Sequence, residues 1–537
     1  MTGLQDLEGG KLRYWFKFLI AKSTLIFLWL YATITSIHAR KADYKIKKRV
    51  PPIKHELCKK SVSELVSLLK NKQVSSHSIV EQYIDHIQNV NKVLNCLVDE
   101  RFAEALEESK RADAAIQTAN DVEELFSKQP LLGIPFTVKE NLAVKGLKHS
   151  SARTRVPVRI ADEDADAVSR LRARGGIPLL VSNAPELCLN IETVSKIGRT
   201  RNPYDTTKTV GGSSGGEASL LGSGASAVGI ASDIVGSIRI PAMFCGVYGH
   251  KPTPGCVSIK GHIPISTDPK WDYYFTVGPM VRYAVDLPLI FKNMVSEESL
   301  PSLRLDVPVE VSRIKVYYMV GEGELSLTQS QPSERVRLAL ETAIQSLKDH
   351  HNCVCEKVDL NYMVDSADYN QAVLAMKGVE NVFQASDDPE DWGTTEVLWM
   401  FLKKLLHRTD ADFGALLWGP MRYLAKLESL MSNTGVERRI EKGKFLFTEM
   451  LGDDAVFIYP TFSVEAQKHH AIAKHAMDVS YTSVFNVFGV PATQCPIKID
   501  AGLPVGVQVV AAPHQDRLCF AIAQALETTC GGWIPPS

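Results

Sequence analysis

The stretch from Val210 to Thr253, VGGSSGGEASLLGSGASAVGIASDIVGSIRIPAMFCGVYGHKPT, constrains this chain more than any other. It packs glycine, serine and small residues at a density that neither an amphipathic helix nor an alternating strand needs. Glycine is costly inside regular elements and useful where backbone must turn sharply or approach a reacting group. Two glycine-serine clusters, Gly211 to Gly216 and Gly236-Ser237, flank the apolar run Ala225 to Ala231. That pattern predicts two loops brought together by a buried segment, with hydroxyls and free backbone N–H groups facing one place. Such a place suits acyl transfer, which needs a nucleophile and an oxyanion hole.

These residues resemble the signature of the amidase signature family, serine hydrolases that use a Ser-Ser-Lys triad. By position, Ser237 resembles the nucleophile and Ser213 the bridging serine, which the family holds with a cis peptide bond. The family's lysine follows an upstream apolar strand, and LLGIPFTVKENL (131–142) supplies it as Lys139. The segment GVPATQCPIKIDAGLPVGVQVV (489–510) is similar to the family's C-terminal block. GHKPTPG (249–255) and an N-terminal apolar run are similar to the family's membrane-anchored fatty-acid amide hydrolases. The resemblance covers roughly residues 58–530. It implies an α/β fold with a twisted mixed central sheet wrapped in helices.

The resemblance also implies a mechanism. Neutral Lys139 takes a proton from Ser213, which takes one from Ser237 as that oxygen attacks the amide carbonyl. Backbone N–H groups of Ile234, Val235, Gly236 and Ser237 would hold the oxyanion, and water would release the acid from the acyl-enzyme. Ser214 would support the network, and Asp233 with Arg239 would brace the nucleophile loop. Leu187, Cys188, Leu189, Asn190 and Ile191 correspond to a segment that lines the acyl channel in fatty-acid amide hydrolases, or they are simply core. No metal or other cofactor is expected. A lone lysine at a strand end is by default solvated; here both serine loops argue against that. One departure stands out: the family usually has two glycines before the nucleophile, and this chain has Val235-Gly236. A β-branched residue is penalised at positive φ, so Val235 fits only if its backbone is extended or helical.

Composition sets the outer bounds. Sixty Lys and Arg against sixty-one Asp and Glu give a net charge of −1, with 45% hydrophobic and 23% charged residues. That balance argues against nucleic acid as a partner and against a disordered acidic chain. The ten cysteines include no CxxC pair, and no N-x-S/T sequon occurs. Both features lean toward a reduced, cytosol-facing catalytic part.

Residues 18–37, FLIAKSTLIFLWLYATITSI, form the only long apolar run. About twenty such residues suffice to span a bilayer as a helix. A cleaved signal peptide ending near Ala39 would want a small residue where Ile37 stands, so a retained single-pass anchor over 18–38 is expected, after a tail at 1–17. Lys and Arg are dense from Arg40 to Arg49, which suits anionic headgroups and gives a basic linker over 39–57. One amidase domain, 58–537, follows, and a homodimer is among the assemblies it allows.

Within that domain, Ser61 and Glu64 form a capping box opening the first helix, with Leu65, Leu68 and Leu69 as its stripe. Ile79, Val80, Tyr83, Ile84 and Ile87 mark a second helix, and 101–117 a third. Strands are predicted at 131–138, 177–182, 314–320, 353–360, 455–460 and 505–511, interleaved with helices as in a layered α/β fold. Between 390 and 431, Leu398, Phe401, Leu402 and Leu405 share a helical face, suited to the core or to a membrane-facing acyl entrance.

Three motifs are set aside. Gly211 to Gly215 fits GxSxG but follows a polar segment instead of a buried strand. Ser67 to Lys70 fits SxxK without its partner motifs. His469, His470 and His475 lack metal-ligand spacing, so they are expected to be solvated or hydrogen-bonding. The reading is therefore a membrane-anchored hydrolase of lipid amides. Its rivals are a small-amide amidase, the A-type component of a tRNA-dependent amidotransferase, and a weakly active lipid-binding protein.

Overall fold

The computed structural model describes residues 46–154, 157–321, 329–363, 435–499 and 502–536, with isolated positions at 26, 29, 30, 33, 373, 399 and 403. Thirteen strands occur among these residues. Eleven build one sheet: β1 (Leu97–Glu100), β2 (Pro135–Lys139), β3 (Ile177–Ser182), β6 (Val228–Asp233), β7 (Tyr248–Lys251), β8 (Thr276–Val281), β9 (Lys315–Tyr318), β10 (Val354–Lys357), β11 (Ala455–Pro460), β12 (Ala492–Ile497) and β13 (Val505–Ala511). The other two, β4 (Val194–Ser195) and β5 (Gly198–Arg199), pair with each other. Across the large sheet the order is β1-β3-β2-β6-β8-β7-β12-β13-β11-β9-β10.

The sheet is mixed. β2 runs parallel to β3 and β6, and β9 runs parallel to β10 and β11. The remaining pairs are antiparallel, including β6 with β8 and β12 with β13. Strands β2, β3, β6, β8, β11, β12 and β13 are buried along their whole length. Helices covering both faces of the sheet account for such burial. All six predicted strands form, within a few residues of the predicted ends.

Helix signals hold as well. Ser61 caps the helix Val62–Lys70: its hydroxyl accepts from the Glu64 N–H at 3.1 Å, and the Ser61 N–H donates to Glu64 Oε2 at 2.8 Å. Leu65 and Leu69 are buried there and Leu68 is half-buried. The five apolar residues expected on the second helix, Ser76–Leu94, all lie in the core, and the third helix is Phe102–Thr118.

Among the described residues no helix is long and apolar enough to cross a membrane. The expected span over 18–38 lies outside the described residues except for Ile26, Trp29, Leu30 and Thr33, which are helical. The amphipathic face with Leu398, Phe401, Leu402 and Leu405 lies outside them too. All ten cysteines are free.

Candidate active site

The parallel strands β2 and β6 are neighbours, with Thr137 opposite Gly229 and Val138 opposite Ile230. Parallel alignment brings their C-terminal ends to the same edge, where open α/β sheets place their ligands. Lys139 closes β2 there, and Ser232 and Asp233 close β6. Lys139 is wholly buried; its amine contacts Ser213 Oγ at 2.7 Å and Ser232 Oγ at 3.0 Å. Both partners are hydroxyls, and among the described residues no carboxylate lies within ion-pair distance of it.

Ser213 sits on the turn that leads into the helix Gly215–Gly222, behind a cis Gly212–Ser213 peptide. Glycine is required at 212 because an added Cβ would fall 2.8 Å from the Ile191 carbonyl carbon and 3.0 Å from the Glu192 nitrogen. The segment 187–191 therefore lies directly against the serine turn. Leu187 is buried within it, and Cys188, Leu189, Asn190 and Ile191 are half-buried. Leu187 and Cys188 adopt left-handed φ values of 52° and 62°. Strain of this kind persists only where the surroundings over-determine it. The Leu187 N–H contributes by donating to Ser151 O at 2.9 Å.

Ser237 lies on the loop after β6. That loop is shaped by Asp233, whose carboxylate accepts from the N–H groups of Gly236 at 2.8 Å and Ile238 at 3.0 Å. Arg239 closes a two-point pair on the same carboxylate, Nε to Oδ2 at 3.1 Å and Nη2 to Oδ1 at 2.9 Å, with both side chains fully buried. Its other hydrogen bonds reach Thr482 O, Gln508 Oε1 and Asn486 Oδ1. Burial pushes the Asp233 carboxyl up, but the Arg239 guanidinium and the hydrogen bonds to it prevail and hold it well below the usual carboxylate range. Removing one partner of such a buried pair costs about 3–5 kcal/mol, because the other charge is left uncompensated. The expected bracing pair is thus present.

Gly236 leaves the expected set of oxyanion donors, because its N–H is already held by Asp233. The amides of Ile234, Val235 and Ser237 have no hydrogen-bond partner among the described residues. Ile234 and Ser237 are buried residues and Val235 is half-buried, and unpartnered N–H groups in such surroundings are uncommon. Ser214 ties the two serine loops together: its N–H donates to Ser237 O at 3.2 Å and its hydroxyl to Ser232 O at 3.4 Å. Among the described residues the hydroxyls of Ser213 and Ser237 form no hydrogen bond with each other. Such bonds are often long before substrate tightens the site.

The departure at Val235 is accommodated. The positive φ of the loop falls on Gly236, at +116°, and Val235 is not among the residues with left-handed backbone. Thr482 Oγ1 holds the Val235 carbonyl at 2.5 Å. Gly236 has no such latitude, since a Cβ there would lie 2.8 Å from Thr482 Cβ and 2.9 Å from Ile240 Cδ1. Val235→Gly is therefore expected to leave kcat within about twofold, whereas Gly236→Ala, by displacing the neighbouring amides of Val235 and Ser237, should lower it roughly 10²-fold, the scale of a misplaced oxyanion donor. Steady-state kinetics on both variants, with melting temperatures, checks this; acceleration by Val235→Gly would show that valine does strain the loop.

Several residues of the site are not marked by any local sequence pattern. Ser232 directly follows the apolar run Ala225 to Ala231, and that position is the one available clue. His262, Thr482, Asn486 and Gln508 arrive through long-range packing. Glu217 accepts from Thr137 Oγ1 at 2.5 Å, and burial pushes its carboxyl up to about 7. The three set-aside histidines are hydrogen-bonded as expected: His469 to Glu192 Oε1 at 2.7 Å, the His470 N–H to Glu192 Oε2 at 3.2 Å, and His475 to Asp478 at 2.9 Å.

Comparison with known proteins supplies the lineage. The sequence profile of the Amidase family matches residues 78–520. Human (Homo sapiens) fatty-acid amide hydrolase 2 is 36% identical over 495 residues, 90% of this chain and 92% of that protein. Fatty-acid amide hydrolase 2-B of Danio rerio is 35% identical over 510 residues, 92% of this chain and 93% of its own. Among solved structures, one described as fatty acid amide hydrolase superposes with a TM-score of 0.69 at 19% identity, over 90% of this chain and 87% of that one. At that identity the likeness speaks for the fold.

Proposed function

We propose that this chain, which belongs to the amidase family and is an amide-hydrolysing enzyme, cleaves fatty-acid amides through a Ser-Ser-Lys relay. The single observation carrying this reading is the 2.7 Å contact of the Lys139 amine with Ser213 Oγ in a fully buried site. With the amine uncharged, Ser213 donates to it. Ser213 then takes the proton of Ser237 as the Ser237 oxygen attacks the substrate carbonyl. The unpartnered amides of Ile234, Val235 and Ser237 receive the charge that develops on the carbonyl oxygen.

Collapse of the tetrahedral intermediate breaks the C–N bond, and the proton stored on Lys139 returns through Ser213 to the leaving nitrogen. Water then attacks the acyl-enzyme, giving its proton to the same relay and releasing the fatty acid. No step needs a cofactor. Similarity to fatty-acid amide hydrolase 2 over nine-tenths of the chain supports the lipid substrate, and the segment Leu187 to Ile191 would line the acyl path. Residues 18–38 would anchor the enzyme at a membrane.

A series of primary amides from acetamide to oleamide tests the substrate class. Each methylene buried in an acyl channel contributes about 0.8 kcal/mol, so kcat/KM should rise roughly fourfold per added methylene until the channel is filled. A flat or falling profile would remove the lipid assignment and favour a small-amide amidase.

A further inference from the structure

Lys139 has a second partner that the relay does not use. Its amine contacts Ser232 Oγ at 3.0 Å, and Ser232 Oγ contacts His262 Nε2 at 3.0 Å. The other ring nitrogen, Nδ1, lies 3.2 Å from the carbonyl oxygen of Pro264. His262 is 3% exposed, with its ring 4.4 Å from that of Phe275, which stacks on Trp271 at 4.9 Å. Burial holds the imidazole well below its usual pKa, so the ring is neutral.

Donor and acceptor counting fixes the protons from Pro264 to Ser232. A carbonyl only accepts, so Nδ1 of His262 carries the ring hydrogen. Nε2 can then only accept, and it takes the single proton of Ser232. With that proton committed, Ser232 Oγ must receive an N–H from Lys139. An uncharged amine has two hydrogens and one lone pair. Directing one hydrogen at Ser232 keeps the lone pair from that hydroxyl and leaves it available to Ser213, the other partner.

We propose that His262 is a positioning residue which, through Ser232, aims the Lys139 lone pair at Ser213. The inference rests on the reading of Lys139 as the base. Without the ring, Ser232 is free to rotate and donate its own proton to the amine, competing with Ser213 for the lone pair.

The test is a double-mutant cycle on turnover of a chromogenic acyl anilide. His262→Leu should lower kcat roughly tenfold, the scale of lost orientation at a proton-transfer step, with KM changed by less than about twofold. His262→Gln, whose amide can accept from Ser232 and donate to Pro264, should stay within about threefold of wild type. In a Ser232→Ala background, His262→Leu should cost nothing further, because the ring acts only through that hydroxyl. Should His262→Leu not fold, His262→Asn, too short to bridge both partners, takes its place in the cycle.

Equal losses with and without Ser232, or equal losses for Leu and Gln, would overturn the inference. The base assignment has its own readout. Fluorophosphonate labelling of Lys139→Met at the wild-type rate removes the base and His262's role with it. Loss of labelling in Lys139→Met together with an additive cycle removes only the role of His262.

Discussion

Ser237→Ala is expected to fold normally, to resist fluorophosphonate labelling, and to lose turnover by at least roughly 10⁴-fold, the scale on which nucleophile removal acts in serine hydrolases. The loop around Ser237 is held by Asp233, Arg239 and Thr482, none of which uses the serine hydroxyl. Removing one oxygen should therefore leave the melting temperature close to that of wild type. Labelling followed by intact-mass analysis gives the decisive comparison. If wild type and Ser237→Ala are labelled alike, the nucleophile is elsewhere and the relay is wrong.

Lys139→Met should be nearly as damaging, with kcat lowered roughly 10²- to 10⁴-fold, the range over which a positioned general base contributes. Methionine suits this test better than alanine because it fills most of the lysine's volume and avoids opening a cavity. Of the two hydroxyls that face the amine, Ser232 keeps His262 as a partner in the variant. Folding should survive while acylation fails. Activity of Lys139→Met within tenfold of wild type, measured as the rate of acyl-enzyme formation, would exclude this amine as the base.

Much of the candidate site was legible because the three residues of the proposed relay lie in short, unusual local patterns. Glycine-serine clusters cost stability in regular elements, so their density around 211–216 and 236–237 points to tight turns from the sequence alone. β-Branched and aliphatic runs mark β3, β11 and β13 directly. Among the strands that escaped, β6 reads VGIASD and β12 reads ATQCPI, with a proline inside, compositions without such a signal. Their strand character comes from neighbours on both sides, as tertiary context overrides propensity.

The same reason hid the residues that hold the site in shape. Asn486 donates to Asp233 across 253 positions of sequence, and His262 reaches Ser232 across thirty. No periodicity encodes such contacts. The doubt over Val235 could be resolved only by backbone angles. The chain spends its one left-handed residue in that loop on Gly236 and leaves valine in ordinary geometry.

Arg239 is bonded to Thr482 and Gln508, which follow it by 243 and 269 residues. A partly synthesised polypeptide therefore emerges from the ribosome with its serines and lysine already made, but without the framework that orients them. On the proposed relay, the loop that carries Ser237 is fully held only once Gln508 has been translated and has docked. Products terminated before Thr482 would lack the Thr482, Asn486 and Gln508 contacts to Arg239 and are expected to be inactive.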